Sequence, residues 1–283
     1  MATPQLIKVE RPDKAIAPLQ ALFHSFEFSA AMIGLLEGVS PGFVFVDDLA
    51  HPRTGVASTA EGVYLAGRAS DPSTQEAIRS LFAQELLSGR LLVKSPTDLY
   101  LSVFPEAWAA HLNVLVPYQE IHATPRYHYL CTAACLDWRS HVPEGYSIRP
   151  LDRELLRRDN VHDLLAHQLP TEQLWGSVDQ LIHQAVGFAA LKNDEVVSWC
   201  TPDCVGGGRI DFACATHPAH RLKGLASIVT AASVQAAFER GFRAAGWMCA
   251  ASNEASWRTA ERVGFVRQGT YTEYFYRATP VAE

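Results

Sequence analysis

Cysteine is scarce in this sequence, with six residues in a chain of 283. Small disulfide-stabilised domains carry a much higher density, so a disulfide scaffold is excluded. The pairs Cys131/Cys135 and Cys200/Cys204 share one spacing, but neither has the sequence context of a zinc knuckle or finger. We predict buried thiols at these positions and no bound metal.

Long apolar runs are also missing. The nearest approach is residues 185–191, far short of the ~18 residues that a membrane-spanning helix requires. The amino-terminal segment carries charges at Lys8, Glu10, Arg11 and Asp13 and lacks the apolar core of a signal peptide. We therefore expect a soluble, cytoplasmic protein with no membrane partner.

Positive charge is not in excess, because 24 lysine and arginine residues stand against 30 aspartate and glutamate residues, a formal net charge of -6. Nucleic acid is bound by basic surfaces and is not expected as a partner. The charge is compatible with a cationic small substrate. An oligomer is possible, but the sequence does not specify an oligomeric state. An apolar fraction of 48% and a charged fraction of 19% are typical of a packed globular protein.

The first half mixes helices and strands. Apolar spacing predicts a helix over 15–36 and another over 73–87, which opens with the capping box Ser73-x-x-Glu76. No glycine-rich phosphate loop and no obvious nucleophile occur in this half. Strands are predicted at 42–46, 63–66 and 99–103.

The composition of the sequence changes near residue 140, where Pro143 and Gly145 mark a polar linker. The length suits one large domain or two of ordinary size. We predict an amino-terminal α/β domain over 1–139 and a second domain over 140–283.

Strand signals follow one another in the second domain. Strands at 187–191 and 196–201 are joined by the hairpin signal Asn193-Asp194, and a further strand covers 209–216. The order of strands and helices predicts an α/β fold with a mainly antiparallel sheet.

The stretch Arg221-Leu222-Lys223-Gly224-Leu225-Ala226 has the chemistry of an anion cradle. Arg221 and Lys223 supply positive charge, and Gly224 lets the backbone approach a bulky ligand. From Leu225 onwards the apolar spacing predicts a half-buried helix that ends at Gly241. Its free N–H groups and the positive end of its dipole would point at the ligand.

Arg221, Gly224 and Ala226 match the pattern Arg/Gln-x-x-Gly-x-Gly/Ala, so this stretch resembles the central motif of the GNAT superfamily of acetyl-CoA-dependent N-acetyltransferases. A second block, Asn253-x-x-Ser256 running on to Gly264-Phe265, is similar to the family's Asn-x-x-Ser helix closing on Gly-Phe. The resemblance implies a GNAT fold over 140–283, with a mixed, mainly antiparallel sheet flanked by helices.

More narrowly, Ile210-Asp211, Leu225-Ala226 and the Asn253 block resemble the zwittermicin-resistance type of GNAT acetyltransferase. In that group another half precedes the GNAT half. By this resemblance, the first half of the chain is expected to form a degenerate GNAT-like lobe that lacks the CoA motif.

The resemblance also implies a site for acetyl-CoA as co-substrate. The backbone of 222–226 would hold the pyrophosphate, and the pantetheine arm would pair with the strand end at 214–216. Asn253 would reach the cofactor from the next helix, although a simple helix N-cap also explains it. The expected cofactor-binding residues are Cys214, Ala215, Thr216, Arg221, Leu222, Lys223, Gly224, Leu225, Ala226, Asn253 and Ser256.

Direct attack of an amine on the thioester needs a base and donors for the developing oxyanion. By resemblance Asp211 is the expected base; its alternatives are binding a cationic substrate and pairing with an arginine. Many GNAT enzymes place a tyrosine, as general acid, where this sequence has Ala260. Tyr271 and Tyr274 are the expected substitutes, with strand packing as their alternative, and a CoA thiolate can also leave without an acid.

We therefore predict an N-acetyltransferase that moves an acetyl group from acetyl-CoA to a primary amine of a small molecule in a ternary complex. Two alternatives stay open. One is acetylation of a protein or peptide amine. The other is a non-catalytic acyl-CoA-binding or sensing module, in which Ala260 marks lost chemistry.

Overall fold

A computed structural model describes residues 5–59, 61–86, 98–116, 120–133, 136–156, 175, 177–184 and 186–277. In chain order, strands β1 to β12 are Ile7–Lys8, Gly42–Val46, Thr54–Thr59, Val63–Gly67, Asp98–Phe104, Ile121–Cys131, Ser147–Pro150, Phe188–Lys192, Glu195–Gly206, Arg209–Thr216, Ala244–Ala250 and Val266–Arg277. Helices α1 to α8 are Ile16–Phe23, Ala30–Glu37, Pro72–Leu81, Leu112–Leu115, Arg153–Leu156, Val178–Gln184, Leu225–Glu239 and Glu254–Val263.

Two compact units divide the chain. The first contains Met1–Pro125 and Tyr271–Glu283, and the second contains Arg126–Thr270. The later part of β6 pairs with β11 inside the second unit. The end of β12 pairs with β5 inside the first unit. The chain passes from the first unit to the second between Pro125 and Arg126, which is ahead of the domain boundary predicted near residue 140. That boundary stays a prediction.

Among the described residues, one order of elements occurs twice along the chain: a strand, two helices, three strands, a helix, a strand, a helix and a strand. It runs from β1 to β6 and again from β7 to β12, although the later part of β6 belongs to the second unit and the end of β12 belongs to the first. In each unit the strands on either side of the longest helix are parallel, β4 with β5 and β10 with β11. Parallel neighbours need a crossover connection, which α3 and α7 supply. The GNAT-like organisation predicted for the first half is present in this repeated order.

The helix predicted over 15–36 is in fact two helices. α1 ends at Phe23, a 3-10 turn covers His24–Phe26, and α2 begins after Ser29, whose hydroxyl oxygen accepts a hydrogen bond from Met32 N at 3.0 Å. Phe26 in the turn is itself buried. Apolar spacing therefore continues across the turn and conceals the break in the helix.

The helix predicted over 73–87 begins at Pro72, and its N-cap is Asp71 rather than Ser73. The Asp71 carboxylate accepts hydrogen bonds from Ser73 N at 3.0 Å and from Thr74 Oγ1 at 2.8 Å. Proline favours the first helical position, which shifts the start ahead of the predicted capping box. The hydrogen bonds from Thr74 and Ser73 lower the pKa of Asp71, so a carboxylate occupies this helix N-terminus.

Strands predicted at 42–46, 63–66, 99–103 and 209–216 are confirmed as β2, β4, β5 and β10. The sequence pattern does not predict β3. All six residues of Thr54–Thr59 are buried, so the alternation of polar and apolar residues that marks a half-buried strand is missing.

In the second unit, the pairings of β10 with β9, β9 with β8, β8 with β7 and β11 with β6 are antiparallel, as predicted. Asn193 and Asp194 have φ of 51° and 65°, which a tight hairpin turn requires. Helix α7 is buried more completely than predicted, because Thr230 and Ser233, away from its apolar stripe, are both 0% exposed.

We expect Gly67→Ala to destabilise the protein strongly. Gly67 has φ of 92°, and a Cβ at this position would lie 1.9 Å from the backbone oxygen of Arg53, which β3–β4 pairing holds in place. Gly241→Ala is the matched control, because Gly241 has φ of 95° but nothing within 4 Å of an added Cβ.

Urea denaturation should show a loss of unfolding free energy of about 1 kcal/mol for Gly241→Ala, the cost of a left-handed alanine. The loss for Gly67→Ala should be at least about 3 kcal/mol, because backbone must move. Equal losses in the two variants would contradict the clash.

Candidate active site

Strand β10 separates from β11 partway along its length. The two strands pair in parallel only over Arg209–Asp211, opposite Ala244–Gly246, whereas β10 continues its pairing with β9 as far as Thr216. Among the described strands, 212–216 therefore has no partner on its β11 side. Backbone N–H and C=O groups along such an edge are available to an extended ligand.

A bulge accompanies the separation. Asp211 pairs with Cys204 but the next residue, Phe212, pairs with Pro202, so Asp203 is an extra residue on β9. Bulges bend a strand and increase its twist, and proline cannot donate to the ladder. The bend falls at the point where β10 leaves β11, which accounts for the opening.

The loop between β10 and α7, residues 217–224, brings left-handed backbone to the opening. Leu222 has φ of 62° and Gly224 has φ of 78°. The Arg221 side chain folds back and donates from Nε to the backbone oxygen of Thr216 at 3.2 Å. Turns with residues in left-handed conformation direct backbone N–H groups into a shared concavity, which suits an anion.

Helix α7 starts directly at this loop. Its N-cap is Gly224, and no side chain among the described residues caps it. Gly224 O accepts from Ile228 N at 3.1 Å, which is the first turn of the helix. The N–H groups of the first turn and the positive end of a 15-residue helix dipole thus face the loop without a side-chain acceptor.

A cleft of about 600 Å³ joins the strand edge, the loop and the helix start. Most of the predicted cofactor-binding residues lie on its wall: Cys214, Ala215, Thr216, Arg221, Leu222, Gly224, Leu225, Ala226, Asn253 and Ser256. Lys223 is the exception, since its ammonium group donates to the hydroxyl of Tyr146 at 3.0 Å.

Two arginines on the cleft wall were not predicted from the sequence. Arg258 and Arg262, four residues apart on α8, line the cleft, and Arg262 Nη1 would lie 3.7 Å from a Cβ added to Gly224. Arg258 also forms an exposed ion pair with Glu254 at 2.6 Å. Basic residues at i and i+4 share a helix face, a signal that could have identified them once Asn253 marked the helix start.

Asn253 and Ser256 both have structural roles beside the cleft. The Asn253 side chain is the N-cap of α8 and accepts from Ser256 N at 3.2 Å. Ser256 Oγ in turn accepts from Trp247 Nε1 at 3.0 Å. The N-cap alternative for Asn253 is therefore correct, and it leaves the residue on the cleft wall.

Of the five described cysteines, which are all free thiols, four are buried and Cys214 on the cleft wall is partly exposed. Cys131, Cys200 and Cys204 are buried as predicted, and Cys135 lies outside the described residues. Burial raises the pKa of the Cys214 thiol to about 12, against a smaller opposing effect of a hydrogen bond with Thr230. A thiol that stays protonated at neutral pH is a poor nucleophile, so the cleft contains no activated cysteine at this position.

Asp211 is the last residue of β10 that pairs with β11, at the point where the two strands separate, which we call the vertex. It does not line the cleft. It is 3% exposed, and its carboxylate pairs with Arg209 at 3.1 Å (Nε to Oδ1) and 3.3 Å (Nη2 to Oδ2). Gly246 makes room for it, since a Cβ there would lie 1.8 Å from Asp211 Oδ1. The arginine pairing expected as one alternative is therefore present, while the role as base stays a prediction.

The two predicted tyrosine acids lie in the first unit. The ring of Tyr271 is 4.5 Å from that of Phe28. Tyr274 donates to Glu106 at 2.5 Å, and burial together with this carboxylate raises the pKa of Tyr274 to about 12. Ala260 is fully buried in α8. The assignment of either tyrosine as general acid stays a prediction.

A parallel strand pair that opens ahead of a long helix with an uncapped N-terminus defines an α/β fold of the GNAT class. The family model for GNAT acetyltransferase matches residues 20–274, and the chain belongs to this family. It is an acetyl-CoA-dependent acetyltransferase.

Individual relatives agree with this family over nearly the whole chain. The "Uncharacterized N-acetyltransferase YdfB" of Bacillus subtilis is 25% identical over 268 residues, which cover 94% of this chain and 97% of that protein. A GCN5-related N-acetyltransferase-like protein from Streptococcus suis is 20% identical with a TM-score of 0.67, over 93% of this chain and 99% of its own. A tandem GNAT protein from the clavulanic acid biosynthesis pathway is 14% identical with a TM-score of 0.58, over 98% and 100%. The two structures share the fold with this chain.

Among the described helices, none has the combined length and apolar character needed to cross a membrane.

We expect Asp211→Asn to lower the free energy of unfolding by about 3 kcal/mol, because it removes a buried carboxylate that pairs with the largely buried Arg209 guanidinium. Chemical denaturation measures this loss. The double variant Arg209→Met/Asp211→Asn should recover most of it, since both charges of this ion pair are then removed. Additive losses in the double variant would show that the ion pair is not the cause.

Proposed function

We propose that the protein is an N-acetyltransferase that transfers an acetyl group from acetyl-CoA to a primary amine of a small molecule by direct attack in a ternary complex. The observation that carries the proposal is the open edge of β10 over 212–216, which leads straight into the uncapped N-terminus of α7. An extended ligand with a pyrophosphate at one end would pair with the open strand edge and place its phosphates at the helix N-terminus.

The pyrophosphate of CoA would bind at the loop and the start of α7. The left-handed residues Leu222 and Gly224 and the free first-turn N–H groups offer donors that need no side chain. Arg221, Arg258 and Arg262 surround the same cleft and supply positive charge to the phosphates. Among the described residues, a Cβ added to Gly224 would meet only the Arg262 guanidinium, at 3.7 Å, so the glycine backbone and a positive charge face the same space.

The pantetheine arm would lie along the open edge of β10, next to Cys214, Ala215 and Thr216. Its two amides can pair with strand backbone as an added strand does. Asn253 and Ser256 line the same cleft and would complete the contacts with the arm or the phosphates. Acetyl-CoA supplies the activated acyl group.

The chain's own contribution to the reaction is positioning and proton transfer. Backbone N–H groups of β10 near the vertex would stabilise the oxyanion that forms as the amine attacks. Asp211, at that vertex, is the proposed base for the ammonium proton. Because Ala260 has no proton to donate, Tyr271 or Tyr274 would protonate the leaving sulfur, or the thiolate would leave unassisted.

Ala260 also favours one rival function, a non-catalytic acyl-CoA-binding or sensing module. Such a module would keep the cleft and lose the chemistry. The narrower likeness to zwittermicin-resistance-type acetyltransferases favours an antibiotic-like or amino-sugar acceptor over a protein or peptide amine, and it stays part of the proposal.

Release of CoA thiol from acetyl-CoA, measured with a panel of small amines and with amino-terminal peptides, separates these functions. We expect turnover with at least one small amine. In that assay Asp211→Asn should lose more activity at pH 7 than at high pH, where the acceptor amine is already neutral and needs no base. Tight CoA binding without turnover on any amine would indicate the sensing module.

We further expect Gly224→Val to abolish CoA binding, while the ligand-free protein stays folded with a loss of unfolding free energy similar to that of Gly241→Val, because both glycines have positive φ. Isothermal titration with CoA should give one site per wild-type chain and no measurable binding for the variant, because the side chain would occupy the phosphate approach. Gly241→Val is the control, since Gly241 lies at the other end of α7, also with positive φ. Unchanged CoA affinity in Gly224→Val would overturn the site assignment.

A further inference from the structure

Tyr146, the residue before β7, contacts the phosphate-binding loop from a distant part of the chain. Its hydroxyl accepts a hydrogen bond from Lys223 Nζ at 3.0 Å and lies 2.9 Å from His220 Nδ1. An ammonium group only donates, so the hydroxyl proton is assigned to the bond with Nδ1. One hydroxyl thus joins two residues of the loop.

The ring of Tyr146 adds further contacts with the same loop. It meets the His220 ring edge-on with centroids 5.8 Å apart. Lys192 Nζ and Lys223 Nζ lie 4.9 Å and 5.6 Å from the ring centroid. Ammonium groups at this distance from an aromatic face are attracted to it. Tyr146 therefore contacts Lys192 of β8 as well as two residues of the loop.

The loop needs such contacts because its backbone is locally unfavourable. Leu222, between His220 and Lys223, has φ of 62°, a conformation that costs a leucine roughly 1–2 kcal/mol. Its side chain is 106% exposed, so packing does not offset this cost. The bonds of His220 and Lys223 with Tyr146, together with the bond of Arg221 to Thr216 O, flank Leu222 and hold the backbone in place.

The contact with Tyr146 gives Lys223 a role that differs from the one predicted from the sequence. The sequence predicts that its charge faces the ligand, but the ammonium group is bound to Tyr146 while Arg221, Arg258 and Arg262 line the cleft. We propose that Tyr146 is a positioning residue for acetyl-CoA, which holds the loop at 217–224 in its binding conformation through Lys223 and His220. This inference rests on the proposed CoA site.

A preformed loop reduces the ordering that binding would otherwise require, so it raises affinity. The loop faces the phosphate end of the ligand, and the acetyl group would react at the vertex of the strands. Removal of the Tyr146 hydroxyl should therefore weaken binding of acetyl-CoA and leave the chemical step unchanged.

The test compares Tyr146→Phe with Tyr127→Phe, which removes a hydroxyl from another half-buried tyrosine of the same unit. We expect the Kd for CoA, measured by isothermal titration, to rise about tenfold in Tyr146→Phe, the effect of a lost hydrogen bond to a charged group. The KM for acetyl-CoA should rise in parallel, with kcat at saturation and the melting temperature of the ligand-free protein unchanged. Tyr127→Phe should match the wild type throughout.

A double-variant cycle with Lys223→Met tests whether Lys223 affects CoA binding through Tyr146. If Lys223 acts through Tyr146, the two substitutions together should weaken CoA binding little more than either alone. Additive losses would show that Lys223 contacts the phosphate directly, and would overturn the proposal. Wild-type CoA affinity in Tyr146→Phe, or a loss of melting temperature that accounts for the weaker binding, would overturn it as well. A wild-type protein that binds no CoA would instead refute the proposed function.

Discussion

The separation of β10 from β11 at Asp211 is the constraint on which the candidate site depends. β10 keeps its partner β9 to the end of the strand, so it stays part of the sheet while its other edge opens after the bulge. The loop leaves from Thr216, at the end of this edge, and α7 begins directly after the loop. Helix α8 follows β11 in the chain. The residues on the cleft wall come from β10, the loop, α7 and α8, so the positions of all of them depend on where β10 and β11 stop pairing.

The first unit shows what the same order of elements does without that separation. There β4 and β5 stay paired from Val63↔Leu101 to Ala66↔Phe104. The helix that follows, α3, has Asp71 as its N-cap, whose carboxylate accepts from Ser73 N and carries the negative charge that a phosphate would otherwise bring. In the second unit Gly224 takes the corresponding position and has no side chain to accept them. One order of elements thus supports an open anion site in one unit and a self-capped helix in the other.

Several residues on the cleft wall serve the fold and the proposed site together. Asn253 caps α8, and Ser256 accepts from Trp247, so both are held in fixed positions before a ligand arrives. Preorganised polar groups contribute more to binding than mobile ones because less freedom is lost. At the vertex, Asp211 is enclosed with Arg209 beside Gly246, which places a charged pair where the strands part.

The sequence by itself determined much of this protein. Local patterns predicted β2, β4, β5 and β10, the hairpin at Asn193-Asp194 and the stretch from Arg221 to Ala226, because strand composition, turn residues and glycine positions act over a few neighbours. The resemblance to the GNAT motifs implied most of the residues on the cleft wall. Only the tertiary structure decided the break before α2, the fully buried strand β3, the orientation of Lys223 towards Tyr146 and the pairing of Asp211 with Arg209. The burial of β3 and the bond of Lys223 to Tyr146 depend on residues that are distant in the chain, which leave no periodic signal in the sequence. The break before α2 is concealed because the buried Phe26 continues the apolar spacing. Arg209 and Asp211 are only two residues apart on β10, but their spacing does not show that both are largely buried, where a charge requires a partner.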